Sequence, residues 1–331
     1  YRGSHPEFVK DALAQFPVKK TLEFFQKLGI CTTDRDGWIY PRSSQAQSVV
    51  DVLTMKARSL KVKLKTNQTV TGVSFTDGQW KIHTDGWTYS GDAVILANGS
   101  RASSVAGSSE SGYEIAKSLG HHLIEPLPAL TALKCKGNSF SGWSGVRTEG
   151  KITLYIDGTP EVSQQGELQL TDYGVSGIPV FQISRYAIRA VHENKSAELS
   201  INFFPELNPK ELEEYLEQRK ADCPYKTEKE LLIGLFPEKL IRVLCAQKDL
   251  IRGITDFRLP VKDGLSFEQA QVCSGGVDTT EVHSKTMESR LHKGLYFAGE
   301  LLDIDGTCGG YNLQWAWSSG ATAGIWAAKE E

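Results

Sequence analysis

The C-terminal stretch from Gly294 to Gly324 combines residue types that together can bind a flat, charged ligand. A short apolar strand ends at Gly299–Glu300, the paired glycines Gly309–Gly310 follow, and a helix is predicted to begin near Asn312. Strand ends bind ligands in α/β folds, glycines allow close backbone approach, and a helix N-terminus presents free N–H groups with partial positive charge. This pattern suits a ring whose edge gains negative charge on reduction, such as a flavin. A structural glycine turn before a core helix accounts for the same residues equally well.

The elements predicted around this stretch are those of an α/β domain. Apolar residues at helical spacing predict two short helices between residues 7 and 28, divided at Pro17, and another helix over Ser44–Leu60. The apolar run Ala93–Ala97 is typical of a buried parallel strand that ends in a ligand-facing loop at Asn98–Gly99. The final helix is predicted over Asn312–Ala328, so strand, loop and helix would together position the candidate site.

The middle of the chain has a different character, which indicates an insertion. Short β segments between residues 130 and 204 are typical of a small antiparallel barrel, and a charged helical pattern extends from Pro209 to about Leu250. We therefore predict four segments. They are the N-terminal portion of a FAD-binding domain (1–125), an inserted β-barrel (126–205), a helical subdomain (206–256) and the C-terminal portion of the FAD-binding domain (257–331).

Composition excludes several classes of function. The 331 residues carry a net charge of −3, which disfavours nucleic acid as a partner because phosphate-binding surfaces usually need a basic excess. The six cysteines are scattered without C-x-x-C spacing, so neither a zinc site nor a disulfide framework is predicted, and no metal is expected. No apolar run approaches the ~20 residues of a membrane span. A cytoplasmic protein is the expectation.

The Gly294–Gly320 motif resembles that of the aminoacetone-oxidase-like and bile-acid dehydro-reductase-like FAD/NAD(P)-binding flavoproteins. Their pattern G-L-Y-F-A-G-E-x-L-D-x-x-G…G-G-Y-N-x-Q-W-A-x-x-S-G matches almost residue for residue. The segments YPRSSQA (Tyr40–Ala46), AVILANGS (Ala93–Ser100) and GELQLTDYGVSGIPVFQIS (Gly166–Ser184) extend the resemblance over essentially the whole chain. It implies a three-layer, Rossmann-like FAD-binding domain of the two-dinucleotide type, with the inserted barrel and the small helical subdomain.

The resemblance also implies which residues contact FAD. Gly299 and Glu300 would lie against the ribityl chain, and Asn312 and Leu313 would offer backbone N–H groups to the pyrimidine edge of the ring. Val70 matches a position that contacts adenine through its backbone. The full set of FAD-binding candidates is Val70, Ala97, Gly99, Gly299, Glu300, Asp303, Asn312 and Leu313.

A second group of candidates lies in the predicted barrel. Thr171, Tyr173 and Ser176 belong to a glycine-containing loop, where they either position a substrate beside the flavin or form a tight β-turn with satisfied polar groups. No residue is identified as the catalytic acid, base or nucleophile.

One element of the family pattern does not occur in the sequence. Two-dinucleotide flavoproteins open with a strand and G-x-G-x-x-G, which binds the pyrophosphate at a helix N-terminus, and residues 1–331 contain no such motif. The pattern places it before residue 1. We therefore expect the chain to be truncated at its N-terminus.

These features predict an enzyme, a FAD-dependent oxidoreductase that transfers hydride between a small organic substrate and FAD. NAD(P)H, dioxygen or a quinone would exchange electrons with the flavin. The alternative is a flavin-binding or RNA-associated flavoprotein without turnover of its own.

Overall fold

The computed structural model describes residues 1–103, 109–137 and 140–329. These residues form two compact units, and each is described by itself below. The first unit comprises Tyr1–Pro126 and Val272–Glu331, and the second comprises Leu127–Gln271. Among the described residues, no helix has both the length and the apolar character needed to cross a membrane.

The helices of the described residues are, in chain order, α1 (Val9–Gln15), α2 (Val18–Lys27), α3 (Gln47–Ser59), α4 (Ser111–Ser118), α5 (Phe140–Trp143), α6 (Ile178–His192), α7 (Pro209–Asp222), α8 (Glu228–Leu231), α9 (Glu238–Cys245), α10 (Leu250–Thr255) and α11 (Tyr311–Ala327). The strands are β1 (Thr32–Arg35), β2 (Trp38–Pro41), β3 (Val70–Thr76), β4 (Gln79–Thr84), β5 (Thr88–Gly91), β6 (Val94–Leu96), β7 (Leu123–Ala129), β8 (Leu133–Cys135), β9 (Val146–Ile156), β10 (Thr159–Leu170), β11 (Gly174–Ser176), β12 (Ala197–Asn202), β13 (Phe257–Gly264), β14 (Val272–Val277) and β15 (Leu295–Phe297).

The first unit is organised around the parallel pair β6 and β15. Leu295 pairs with Val94 and Phe297 with Leu96, so both strands end at the same edge. Beyond that edge, the Ala298 N–H donates to the Leu96 carbonyl oxygen at 3.0 Å. The parallel pairing that the apolar run after residue 92 predicts is confirmed, but Ile95 is 39% exposed, so β6 is not fully buried.

Helix α11 is fixed in the core of the first unit by buried polar contacts. The Trp315 side chain is fully buried, and its Nε1 donates to the Gly299 carbonyl oxygen at 3.0 Å. The buried Gln314 amide donates to the Phe16 carbonyl oxygen at 3.2 Å and to Thr21 Oγ1 at 2.9 Å. Because buried polar groups need partners, these bonds attach the junction between α1 and α2 to one face of α11.

Of two predicted helix boundaries, the one at Pro17 is confirmed and the one at Ser44 is displaced. The division of the N-terminal helices at Pro17 is confirmed, since α2 begins directly after this proline. The helix predicted from Ser44 begins instead at Gln47, because Ser44 has a left-handed φ of 55° that a helix cannot include.

The second unit is a closed barrel with the strand order β10-β11-β8-β13-β12-β9. Its interior is apolar, and Leu154, Leu168 and Leu199 are fully buried there. The charged helices contribute Leu212 and Leu240 to the same hydrophobic cluster, which is why the structure does not separate them from the barrel. The sequence prediction assigned β13 to the C-terminal portion of the FAD-binding domain, whereas β13 is a barrel strand and the unit extends to residue 271.

Candidate functional site

Four FAD-binding candidates come together at the carboxyl edge of β6 and β15. Ala97 and Gly99 follow β6, and Gly299 and Glu300 follow β15. Gly299 has a φ of +71°, and its N–H donates to Ser319 Oγ of α11 at 2.9 Å. Strand pairing brings these loops together, although about 200 residues separate them in the chain.

Ser100 is a site residue that the sequence prediction missed. Its Oγ donates to Glu300 Oε2 at 2.8 Å, and its side chain is buried. A polar residue directly after a predicted ligand-facing glycine loop was the available signal. The contact joins the two strand ends through one hydroxyl and one carboxylate, groups that also hydrogen-bond well to a polyol.

Burial raises the pKa of the Glu300 carboxyl above its ordinary value, the hydrogen bond from Ser100 opposes this, and the nearby Asp305 carboxylate adds to it. A carboxyl whose pKa is higher in the folded state binds protons more readily when folded. Its contribution to stability is therefore complete below the unfolded pKa and is lost as pH rises through the folded pKa.

Glu300→Gln should remove this pH dependence while it keeps an acceptor for Ser100. We expect the variant to gain stability relative to the wild type as pH rises from 4 to 8, and to lose flavin affinity if the carboxylate contacts the ribityl chain. Urea unfolding across this pH series measures the first effect. Glu114→Gln, at an exposed position of α4, controls for the change in net charge. Parallel profiles for Glu300→Gln and the wild type would contradict the assignment.

The N-terminus of α11 has no side-chain cap. Its N-cap, Gly310, has a left-handed φ of +87°, and the Gln314 N–H donates back to the Gly310 carbonyl oxygen at 2.9 Å. The preceding N–H groups of the first turn have no acceptor within the helix. Both features allow backbone N–H groups to bind the negative edge of a ligand.

The side chain of Asn312 has a structural role of its own. Its Oδ1 accepts from the Gly306 N–H at 2.7 Å, and its Nδ2 donates to the Gly306 carbonyl oxygen at 3.1 Å. These paired bonds hold the loop before α11 against the first turn. The Asn312 side chain is therefore engaged, so its predicted ligand contact is confined to the backbone.

A cavity of about 690 Å³ opens beside this helix N-terminus. Gly309, Gly310 and Leu313 line one side of it, and the rest of the lining is mostly apolar and includes side chains of α2 and of the β1–β2 hairpin. The Trp38 ring packs so closely on Gly309 that a Cβ there would lie 1.1 Å from a ring carbon. The sequence prediction missed the aromatic residues of this hairpin, although Tyr40 lies in a segment that carries the family resemblance.

The remaining candidates of the first unit lie elsewhere. Asp303 is buried, and its Oδ2 accepts from the Ser4 N–H at 2.8 Å, so its carboxylate is bound to the N-terminal segment. Val70 begins β3 in a different sheet, formed by β3, β4 and β5, and packs against the core.

The three candidates in the barrel unit have different contacts. The Thr171 carbonyl oxygen accepts from Trp143 Nε1 at 3.1 Å, and the Tyr173 carbonyl oxygen accepts from the Cys135 N–H at 2.9 Å. Both residues thus connect the turn between β10 and β11 to the barrel through their backbone. Ser176 instead lines a cavity of about 460 Å³.

The residues of the first unit fit the ring half of FAD. The uncapped N-terminus of α11 offers backbone donors, Gly310 leaves open space where a Cβ would stand, and the adjoining cavity is apolar. Glu300 and Ser100 can accept from and donate to a polyol chain. Across residues 1–103, 109–137 and 140–329, no group of His, Cys, Asp or Glu is arranged to hold a metal ion.

A parallel strand pair with a glycine-rich loop and an open helix N-terminus at its carboxyl edge is typical of the ligand-binding edge of Rossmann-type folds. The chain belongs to the family described as HI0933-like protein Rossmann domain, whose profile matches residues 1–326. This finding confirms the resemblance to bile-acid-reductase-like flavoproteins that the C-terminal motif carries.

Curated relatives agree with this membership. The chain is 43% identical over 346 residues to the 3-dehydro-bile acid Δ(4,6)-reductase of Clostridium scindens, covering 99% of this chain and 85% of that protein. It is 30% identical to the ribosomal RNA dihydrouridine synthase of Escherichia coli, covering 100% and 83% of the two chains. The synthase of the same name from Haemophilus influenzae is 28% identical, with coverage of 96% and 82%. The family and the reductase relative identify the chain as an oxidoreductase.

Proposed function

We propose that the protein is a FAD-dependent reductase of conjugated double bonds in an apolar, steroid-like ketone, with NAD(P)H as electron donor. The observation that carries this proposal is the uncapped N-terminus of α11 opening onto an apolar cavity of about 690 Å³. This volume lies within the range of ~300–1,000 Å³ typical of small-molecule sites. The C. scindens relative is named for the reduction of a 3-dehydro bile acid, whose ring system is of the proposed kind.

The chain's own residues have distinct roles in this proposal. The backbone N–H groups of the first turn of α11 bind the electron-rich edge of the flavin, while Glu300 and Ser100 hydrogen-bond the ribityl hydroxyls. Phe25, Trp38 and Trp317 form apolar walls that hold a fused-ring substrate and exclude water from it. FAD, when bound, supplies the hydride.

The proposal is tested with the purified full-length protein. We expect flavin absorption bands in the visible spectrum, release of FAD on denaturation, and bleaching by NADH or NADPH under anaerobic conditions. A conjugated 3-oxo-steroid should then restore the oxidised spectrum, whereas its saturated counterpart should not. A colourless protein that binds no added FAD would contradict the cofactor assignment, and flavin that only amines reduce would contradict the reductase assignment.

A second candidate is the reduction of a uridine in ribosomal RNA. The names of the E. coli and H. influenzae relatives favour it. The lower identity of these relatives and the net charge of −3 weigh against it, since RNA binding relies on basic surface. Dihydrouridine formed in ribosomal RNA by the purified protein and NADPH, without any steroid reduction, would establish this second function instead.

A further inference from the structure

We propose that the hydrogen-bond network of His121, Glu281 and Ser289 is an acid-sensitive clasp, which opens when the His121 imidazole becomes doubly protonated. The network lies wholly within the first unit and joins three separate segments of the chain. His121 follows α4, Glu281 lies in the turn after β14, and Ser289 precedes β15. The inference does not depend on the proposed flavin chemistry.

The His121 side chain is fully buried and is bonded at both ring nitrogens. Its Nδ1 lies 3.0 Å from Glu281 Oε2, and its Nε2 lies 2.9 Å from Ser289 Oγ. The ring also packs edge-on against Phe297 of β15, with the ring centroids 4.8 Å apart. The clasp therefore connects the end of α4 to the strand that Glu300 follows.

The positions of the protons follow from the partners of Ser289. Its Oγ accepts from the N–H groups of Leu291 and His292, each at 3.0 Å, so both lone pairs are engaged. The Ser289 hydroxyl therefore donates to His121 Nε2, and Nδ1 carries the ring proton that Glu281 accepts. The neutral imidazole satisfies all of these atoms. A proton on Nε2 would point at the hydroxyl proton, and the bond to Ser289 would break.

The surroundings of the ring favour its neutral form. Burial lowers the pKa of His121 and outweighs the Glu281 carboxylate, which raises it. The imidazoles of His292, in the loop before β15, and of the adjacent His122 lower it further. Folding therefore opposes protonation of His121.

His122 shares the same carboxylate and responds in the opposite direction. Its side chain is 82% exposed, and both its backbone N–H and its Nδ1 contact Glu281. The hydrogen bond to Glu281 and the charge of that carboxylate raise the pKa of His122, and Asp278 adds to this. Burial would raise the pKa of the Glu281 carboxyl, but its bonds with the two histidines lower it overall.

The two histidines should therefore give stability opposite dependences on pH. The folded pKa of His121 is lowered, so its contribution is complete above the unfolded value of about 6.5 and is lost as pH falls through the folded value. The folded pKa of His122 is raised, so its contribution is complete below about 6.5 and is lost as pH rises through the folded value. Acidification weakens the clasp through His121 alone of these two residues.

The first test compares urea unfolding of the full-length wild type with that of His121→Asn and His122→Asn. Asparagine keeps a donor for Glu281 but does not titrate. From about pH 6.5 down to about pH 5, the urea midpoint should fall less in His121→Asn than in the wild type. From about pH 6.5 up to about pH 8, it should fall less in His122→Asn, the matched control at the same carboxylate. The same acid limb in His121→Asn and the wild type would overturn the proposal.

A second measurement needs no substitution in the buried network, in case His121→Asn does not fold. In NMR spectra of the wild type, the His121 ring should titrate below about pH 6.5 and the His122 ring above it, with His122→Asn assigning the second signal. Titration of the buried ring at or above its ordinary value would contradict the clasp.

Opening of the clasp is followed at Trp80. Its Nε1 donates to the Lys293 carbonyl oxygen at 3.2 Å, so a 5-fluorotryptophan label there reports the position of the loop between Ser289 and β15. The fluorine signal, assigned with Trp80→Phe, should move with the same pH dependence as the His121 titration. A signal that stays fixed while His121 titrates would show that the network gains a proton without opening, and would overturn the proposal.

Discussion

Gly310→Asp should lower FAD affinity at least about tenfold relative to Gly310→Asn, because it places a carboxylate at the N-terminus of α11. Gly310 is the N-cap of that helix, and an added Cβ would meet no heavy atom within 4 Å. The added Cβ therefore disturbs no packing, and the strain of the left-handed φ is common to both variants. Its charge would oppose the electron-rich edge of the flavin and would attract the same first-turn N–H groups.

The comparison with asparagine isolates the charge. Asp and Asn are nearly equal in size, and both tolerate the left-handed φ of +87° better than other residues do. Fluorescence titration of the flavin-free protein with FAD gives both dissociation constants. Wild-type affinity in both variants would place the flavin edge away from α11, whereas an equal loss in both variants would indicate steric exclusion.

The local elements of the candidate site follow from the sequence with little ambiguity. The apolar strand at Leu295, the glycine pair and the long final helix occupy consecutive positions, and each is specified by its own residues. Helix α11 begins at Tyr311, one residue before the predicted start at Asn312. Local propensity decides such elements, because glycine in a left-handed conformation stops any helix from extending further toward the N-terminus.

Contacts between segments that are distant in the chain could not be predicted from the sequence in this way. The bond between Ser100 and Glu300 depends on the parallel pairing of β6 with β15, and the packing of Trp38 on Gly309 depends on where the β1–β2 hairpin folds. No periodicity in a single sequence encodes either relation. The hydrogen bond between Asn312 and Gly306 likewise depends on the folded structure, because the motif specifies the asparagine but not its partner.

In the barrel, residues that are neighbours in sequence have different environments, which the motif does not predict. Thr171, Tyr173 and Ser176 are neighbours in sequence, yet two of them connect the turn to the barrel through backbone groups and only the third lines a cavity. Thr171 and Tyr173 lie in the turn between β10 and β11, whereas Ser176 lies on β11 itself. Their role toward a flavin stays a prediction.

Gly276→Ala should destabilise the protein by about 2–5 kcal/mol, the sum of a left-handed strain of ~1–2 kcal/mol and an overpacking cost of ~1–3 kcal/mol. Gly276 has a φ of +137°, and a Cβ there would lie 2.6 Å from the Leu301 carbonyl oxygen and 2.8 Å from the Leu302 carbonyl carbon. Both obstacles are backbone atoms, which cannot move aside as a flexible side chain can. The segment that would have to shift is the one that follows Glu300, so flavin content should fall with stability.

A second glycine provides the control for this substitution. Gly320 lies inside α11, and a Cβ there would meet nothing within 4 Å, so Gly320→Ala should stabilise the protein by up to ~1 kcal/mol through helix propensity. Urea unfolding followed by tryptophan fluorescence measures both variants, and an unchanged slope shows that the midpoints report stability. A lower midpoint for Gly276→Ala and a higher one for Gly320→Ala would establish that the close approach of β14 to Leu301–Leu302, rather than glycine content as such, causes the loss of stability. A midpoint for Gly276→Ala equal to that of the wild type would mean that the Leu301–Leu302 backbone yields to a methyl group.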